Sequence, residues 1–559
     1  MHPRKYSFRS SCVFLVLIFL LFLFVLKLLL IQVFNSSYLA DLAKKQHNHL
    51  IKLEPKRGTI YDRNLRPLAI NLPVYSLFAN PKIMTSKDKS RAVLEISVLL
   101  HVSASFIEDR LSKGKYFVWL MRKVPQSVYT QIKDLKIHGL GFVKESKRFY
   151  PNKFLAAHVI GFAGIDNNGL EGLELQYDHY LKGKEGFAQI LRDARQRELL
   201  IEKNYSAPQN GFHLVLTIDE TIQFIAERAL EKGFQKHNAQ GATIIVMNPK
   251  TGEILAFANR PTYNLEEPSQ SNPVNRTNRA LAFTYEPGSV FKIVTAAAAL
   301  QEGVVKESDI IFCENGSYKV GNHILHDHHA EGHLTFQEVI EQSSNIGTTK
   351  IAQRLGPQRV YDYAKRFRFG IKTGVDLLGE SAGNLKPVSR WSKTSIGAVP
   401  IGQEVTVTPL QLVAAISAIA NNGIYMKPYV VQYVKDDRDE IIQSFAPQVV
   451  DKIITDETDK RLKEILRGVV DRGTATKAQI KGVTVAGKTG TAQKVVGGTY
   501  SHNKFYATFI GFAPVEDPKL ACVVVFDEPH PSYYGGTVAA PVFQEVIEDS
   551  LKYLSALGN

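Results

Sequence analysis

The chain has 559 residues, 44% hydrophobic and 22% charged, with 3 cysteines and a formal net charge of +14. That length supports a large core and more than one domain. The balance excludes a disordered chain, a solenoid of short repeats and a disulfide-stapled mini-protein.

From the N-terminus, residues 12–34 are almost wholly Leu, Phe, Val and Ile, interrupted by Lys27 and Gln32. As a helix this run is about 34 Å long at ~1.5 Å per residue, enough to span a bilayer. It outruns the apolar part of a signal peptide, and Gln32-Val33-Phe34-Asn35 offers no small-residue cleavage site. An uncleaved membrane helix over 12–34 is predicted, with 1–11 as a tail. Arg4, Lys5 and Arg9 favour a cytoplasmic tail, and Lys27, Lys44 and Lys45 weaken that bias.

Residues 37–52 read as helix, and Arg57-Gly58-Thr59-Ile60-Tyr61-Asp62-Arg63-Asn64 as a short strand entering a polar turn. Amphipathic helices are expected over 91–111, with a break near His101, and over 125–135. Arg148-Phe149-Tyr150-Pro151 and Gly169-Leu170-Glu171-Gly172 punctuate an irregular stretch. This first region shows no nucleophile and base set and is expected to be non-catalytic. Asn204 to Gly211 reads as a turn-rich linker. Beyond it come a strand over 212–217, a helix over 219–232 capped by Asp219, and a hairpin of 242–247 and 253–258 around Asn248-Pro249-Lys250-Thr251-Gly252. Near the C-terminus, 507–512 and 521–526 read as paired strands and 538–554 as a helix. Strands at both ends with helices between predict a mixed α/β domain, one sheet assembled from distant segments and sandwiched by helices.

Three short motifs stand in that domain. Ser289-Val290-Phe291-Lys292 follows the turn Tyr285-Glu286-Pro287-Gly288, which places Ser289 at a helix N-terminus, where backbone N–H groups favour developing negative charge. Lys292 falls on the same helical face, and burial would lower its pKa enough to take the serine proton. Ser343-Ser344-Asn345 offers a hydroxyl to relay a proton and an amide to hold a substrate carbonyl and orient Lys292. Lys488-Thr489-Gly490-Thr491 continues a strand. Alternation sets Lys488 and Gly490 on one face and Thr489 and Thr491 on the other, so twist or a bulge is expected to bring all of them to one cleft. Gly490 permits close backbone approach, the cation and hydroxyls suit a terminal carboxylate, and the Thr491 and Ser289 N–H groups would form an oxyanion hole. Each motif alone is common. The ordered set matches a signature of penicillin-binding proteins and class A β-lactamases, with Ser344 where that signature has Asp.

On these motifs the sequence resembles the class B penicillin-binding proteins. Arg57 to Arg63 resembles the family's N-terminal box, Gly169-Leu170-Glu171-Gly172-Leu173-Glu174 its second box, and Val215-Leu216-Thr217-Ile218-Asp219 the entry to its transpeptidase domain. Asp527-Glu528-Pro529 with Tyr533 to Phe543 is most similar to the cell-division, penicillin-binding protein 3 type. The resemblance implies the penicillin-binding transpeptidase fold, with an elongated non-catalytic α+β pedestal over 35–205 and a transpeptidase domain over 206–559. It implies a serine-type D,D-transpeptidase. Ser289 would attack the penultimate D-Ala of a peptidoglycan stem peptide, Lys292 and Ser343 would pass the proton, and Lys488 to Thr491 would grip substrate. β-Lactams would acylate Ser289. No glycosyltransferase region is visible, so a membrane-embedded glycosyltransferase and other division proteins are expected partners, at the inner membrane and septum. No cofactor is expected. His326, Asp327, His328, His329 and His333 lack zinc-ligand spacing and read as a loop, not a metal site. Trp391 and Gly402-Gln403-Glu404 read as packing and a turn. Lys and Arg are scattered without a nucleic-acid motif, so the charge reads as a basic surface near an anionic membrane and no nucleic acid is expected. The rival readings are an elongation-specific transpeptidase, a D,D-carboxypeptidase or β-lactam-hydrolysing relative, and a β-lactam sensor or division scaffold without chemistry.

Overall fold

In a computed structural model, residues 4–38, 48–192 and 198–558 are described. The apolar run folds as one helix, Arg4–Leu29, that passes into a π-helical turn at Leu30–Phe34. Its Leu, Phe, Val and Ile side chains are exposed, and Phe8–Phe34 is long and apolar enough to cross a membrane. Residues 4–11, read as tail, belong to the same helix. Asn48–Leu53 pairs antiparallel with Gly186–Arg192, which pairs with Glu198–Ser206. The helix expected over 37–52 is therefore corrected at its end, where residues 48–52 are strand and 39–47 lie outside the described residues. Local propensity gave way there to a ladder whose partners lie more than a hundred residues away. The linker read from Asn204 likewise begins as the end of a strand. The chain packs as two units, residues 1–56 with 183–210, and residues 57–182 with 211–559.

The second unit holds two large sheets. The first has seven strands, among them Ile60–Tyr61, Pro67–Ala79, Leu140–Phe149, His213–Leu216 and Val431–Lys435. Against part of it sits a small core of Leu77, Ile96, Ile107, Leu120 and Ile132. The helices of that core break where the pattern changes. Ser86–Leu100 ends at His101 with a left-handed φ of 53°, and Ala104–Ser112 restarts under a Ser103 side-chain cap on the Phe106 N–H.

The second sheet is antiparallel, in the order Ile254–Arg260, Gly241–Met247, Leu520–Asp527, Thr499–Ala513, Ala486–Val496. Strands more than two hundred residues apart in sequence are thus neighbours. Every residue of Gly241–Met247 and Leu520–Asp527 is buried, so both faces are covered. Glu220–Lys236, capped by Asp219, and Gly535–Ala556 pack on each other and on one face. The wholly buried helix Pro409–Ala420 packs on the other. This is the predicted sheet sandwiched by helices. Its edge strand, Ala486–Val496, runs beside the turn Gly288–Phe291 that opens the helix Lys292–Gln301.

Candidate active site

The three motifs converge in this second unit. Ser289 lies half-buried in the 3₁₀ turn Gly288–Phe291, and Lys292, the first residue of the following helix, is fully buried. Among the described residues the Ser289 hydroxyl makes no hydrogen bond to a protein group. Two close approaches seat this turn. A Cβ on Gly490 would lie 2.9 Å from Pro287 O and 2.9 Å from Val290 Cγ1, so the strand meets the turn that bears Ser289 without a side chain between. A Cβ on Gly402 would lie 2.2 Å from Gly288 O, and Gly402 O accepts the Gly288 N–H at 3.1 Å. The segment read as a turn at Gly402 is thus a buttress for the turn that bears Ser289.

Lys292 Nζ donates to Ser343 O at 2.5 Å and Asn345 Oδ1 at 2.8 Å, and lies 3.2 Å from Ser343 Oγ. Burial pushes its pKa down to about 7, against a smaller upward pull from Asp327. A neutral amine has two N–H donors and one lone pair. The two shorter bonds use the donors and leave the lone pair to accept from a hydroxyl. Lys488, also fully buried, donates to the same Ser343 Oγ at 2.9 Å. Burial holds its amine well below the usual lysine value, and the charge of Lys292 adds to that effect. Ser343 Oγ accepts from Lys488 and keeps its own O–H to give. Its backbone sits at a left-handed φ of 62°, an unusual conformation for a serine and one concentrated at functional sites.

The expected split of the Lys488 strand is present, but its bulge lies at Gln493/Val495, beyond the motif. The motif itself pairs regularly with Ala507 to Ile510. Lys488 reaches Ser343, whereas Thr489 Oγ1 bonds Thr474 Oγ1 at 2.7 Å and Thr491 Oγ1 accepts the Gly535 N–H at 3.1 Å. The threonine side chains therefore border the cleft on the side of the C-terminal helix.

Asp327 was passed over in the sequence as part of a histidine-rich loop. Its carboxylate accepts from the Ser344 hydroxyl at 2.6 Å, from the Ile346 N–H at 3.1 Å and from the Asn345 N–H. It thereby caps the helix Asn345–Leu355 and fixes the Ser-Ser-Asn segment. The one available signal was an Asp with the right chemistry, placed by the fold rather than by spacing. His328 bonds Tyr534 at 2.7 Å.

Residues 242–548 match the penicillin binding protein transpeptidase domain, and residues 52–216 match the penicillin-binding protein dimerisation domain. The chain belongs to the class B penicillin-binding proteins. Stage V sporulation protein D of Bacillus subtilis (strain 168) is 36% identical over 533 residues, covering 94% of this chain and 82% of the relative. Peptidoglycan D,D-transpeptidase FtsI of Escherichia coli (strain K12) is 30% identical over 562 residues, covering 99% and 92%. The crystal structure of penicillin binding protein 3 from Mycobacterium tuberculosis, complexed with aztreonam, superposes with a TM-score of 0.70 at 27% identity, covering 90% of this chain and 97% of that one. This class B protein is a transpeptidase-family enzyme with one N-terminal apolar helix that fits a single-pass anchor.

Proposed function

We propose that the protein cross-links peptidoglycan stem peptides at the division septum through an acyl-Ser289 intermediate. The observation that carries this reading is Ser343 Oγ held between two buried amines, Lys292 and Lys488, beside the turn that bears Ser289. Ser289 Oγ attacks the carbonyl carbon of the penultimate D-Ala while its proton passes to neutral Lys292. Ser289 and Thr491 N–H groups hold the oxyanion, and one such donor is worth roughly 100- to 1,000-fold in rate. The C–N bond breaks, and the terminal D-Ala leaves with a proton delivered from Lys292 through Ser343. An amine of a neighbouring stem then attacks the ester, the new amide forms and Ser289 recovers its proton. Asn345 orients Lys292. Lys488, Thr489, Gly490 and Thr491 receive the substrate carboxylate. β-Lactams present a strained amide to the same serine and stay attached.

On this reading residues 1–11 face the cytoplasm, 12–34 anchor the chain, 35–205 form the pedestal, and 206–559 work outside the cytoplasm beside a membrane-embedded glycosyltransferase and other division proteins. The septal assignment is supported by similarity to FtsI and by the stretch from Asp527 to Phe543. Similarity to a sporulation protein supports a second reading, wall synthesis confined to spore formation.

Intact mass measured over time with benzylpenicillin tests the chemistry. A single adduct that persists for hours is expected. Rapid turnover to hydrolysed drug would move the assignment to a β-lactam hydrolase. Depletion tests the setting, with filaments bearing unclosed septa expected, rounded swollen cells marking an elongation enzyme, and normal division with failed spores marking the second reading.

A further inference from the structure

Glu286 stands three residues before Ser289, and no motif includes it. Its Oε1 accepts the Glu404 N–H at 2.9 Å and the Tyr500 O–H at 3.3 Å. Glu404 follows Gly402, whose backbone seats Gly288, and is held at a left-handed φ of 58° with its own carboxylate accepting from Ser395 Oγ at 2.7 Å. Tyr500 lies on the strand Thr499–Ala513, just past the turn that closes the hairpin begun by Lys488 to Thr491. One carboxylate oxygen thus joins the nucleophile turn to its buttress on one side and to the substrate-gripping hairpin on the other. The second oxygen, Oε2, is buried without a protein partner.

We propose that Glu286 is a positioning residue for acylation, setting the distance and angle between Ser289 and the Lys488–Thr491 strand by accepting from Glu404 and Tyr500 together. The hairpin needs such a tie because its end is exposed at Val495, Val496 and Tyr500. A displacement of about 1 Å at a reacting atom typically costs on the order of a hundredfold in rate. The groups facing Glu286 are Tyr500, the Glu404 carboxylate and Lys386. Burial raises its pKa, yet an acceptor oxygen survives protonation, so positioning does not require the charge.

The inference rests on the acyl-serine reading, and the test separates the two. Acylation by benzylpenicillin is followed by stopped flow as a limiting rate constant and an apparent dissociation constant, in the full-length protein. If the parent protein forms no adduct, the proposed function itself fails. Given an adduct, Glu286→Ala is expected to lose about ten- to a hundredfold in the limiting rate constant with little change in apparent dissociation constant. Glu286→Gln, which keeps the acceptor, is expected to stay within about threefold of the parent. A purely structural role would lower the folded fraction while leaving the rate constant of that fraction unchanged. Tyr500→Phe removes one of the two donors and leaves the buried carboxylate in place, so it reports even if Glu286→Ala does not fold. A several-fold fall is expected. Parent-like acylation in Glu286→Ala or Tyr500→Phe, or equal damage in Glu286→Gln and Glu286→Ala, overturns the proposal.

Discussion

In the N-terminal part of the larger unit, Glu174 is fully buried and accepts from Arg57 Nε at 2.6 Å and Arg148 Nε at 2.6 Å. Arg57 also donates to Asp178 at 2.6 Å, and Arg148 to Gly58 O at 2.7 Å. In the cleft beside Ser289, Lys292 and Lys488 are as deeply buried, but they share a serine, and neither forms an ion pair among the described residues. The first cluster satisfies charge with opposite charge and ties together segments from both boxes of the N-terminal region. The second places two amines side by side, and burial lowers the pKa of both. A buried pair of opposite sign serves architecture; a buried pair of like sign stores a proton-transfer group at neutral pH.

The comparison breaks most sharply at the lysine. Lys292→Met should reduce acylation on the order of a millionfold, the scale for losing a nucleophile or its base, and denaturant titration should show stability kept or raised. A loss of several kcal/mol instead would mean that the amine is structural. Glu174→Ala should do the reverse, costing about 3–5 kcal/mol by leaving two guanidiniums buried without their carboxylate. The acylation rate of the folded fraction should be untouched.

Next in size is the pH dependence. On the proposed mechanism Lys292 must be neutral to accept the Ser289 proton, and burial brings its pKa down to about 7. Acylation should therefore fall about tenfold per pH unit below that value and level off above it. A flat profile from pH 5 to 8 would show that Lys292 is not the base. Gly402→Ala sharpens the geometry, because the new Cβ meets Gly288 O at 2.2 Å and the residue's φ is 82°. About a tenfold loss in acylation rate is expected in stopped flow. At the small end, Lys232 and Glu545 form an exposed ion pair at 3.0 Å, and Lys232→Ala should change the unfolding free energy by less than about 0.5 kcal/mol.

Much of this was legible in one dimension. The apolar run, the helix break at His101, the Asp219 cap and the hairpin around Asn248 to Gly252 depend on neighbours a few residues away. So do the turn before Ser289 and the helix that carries Lys292. Asn48–Leu53 was misread because its partner strand lies beyond residue 185. Asp327 was hidden because its carboxylate meets Ser344 from 17 residues upstream, with nothing in the local pattern to mark it. Glu286 looked like an ordinary turn residue until the fold brought Tyr500 to it.

The sequence by itself determined the long apolar helix, the order of the motifs and the residue types available for acyl transfer, because hydropathy and local backbone preference are properties of short segments. Only the tertiary structure decided that Lys292 and Lys488, on segments 51 and 145 residues from Ser343, meet at one hydroxyl. It also decided that both amines are buried and that glycine backbones let the turn bearing Ser289 touch its strand and its buttress. Burial and charge proximity set a pKa, and both are sums over neighbours that the chain assembles only when it folds.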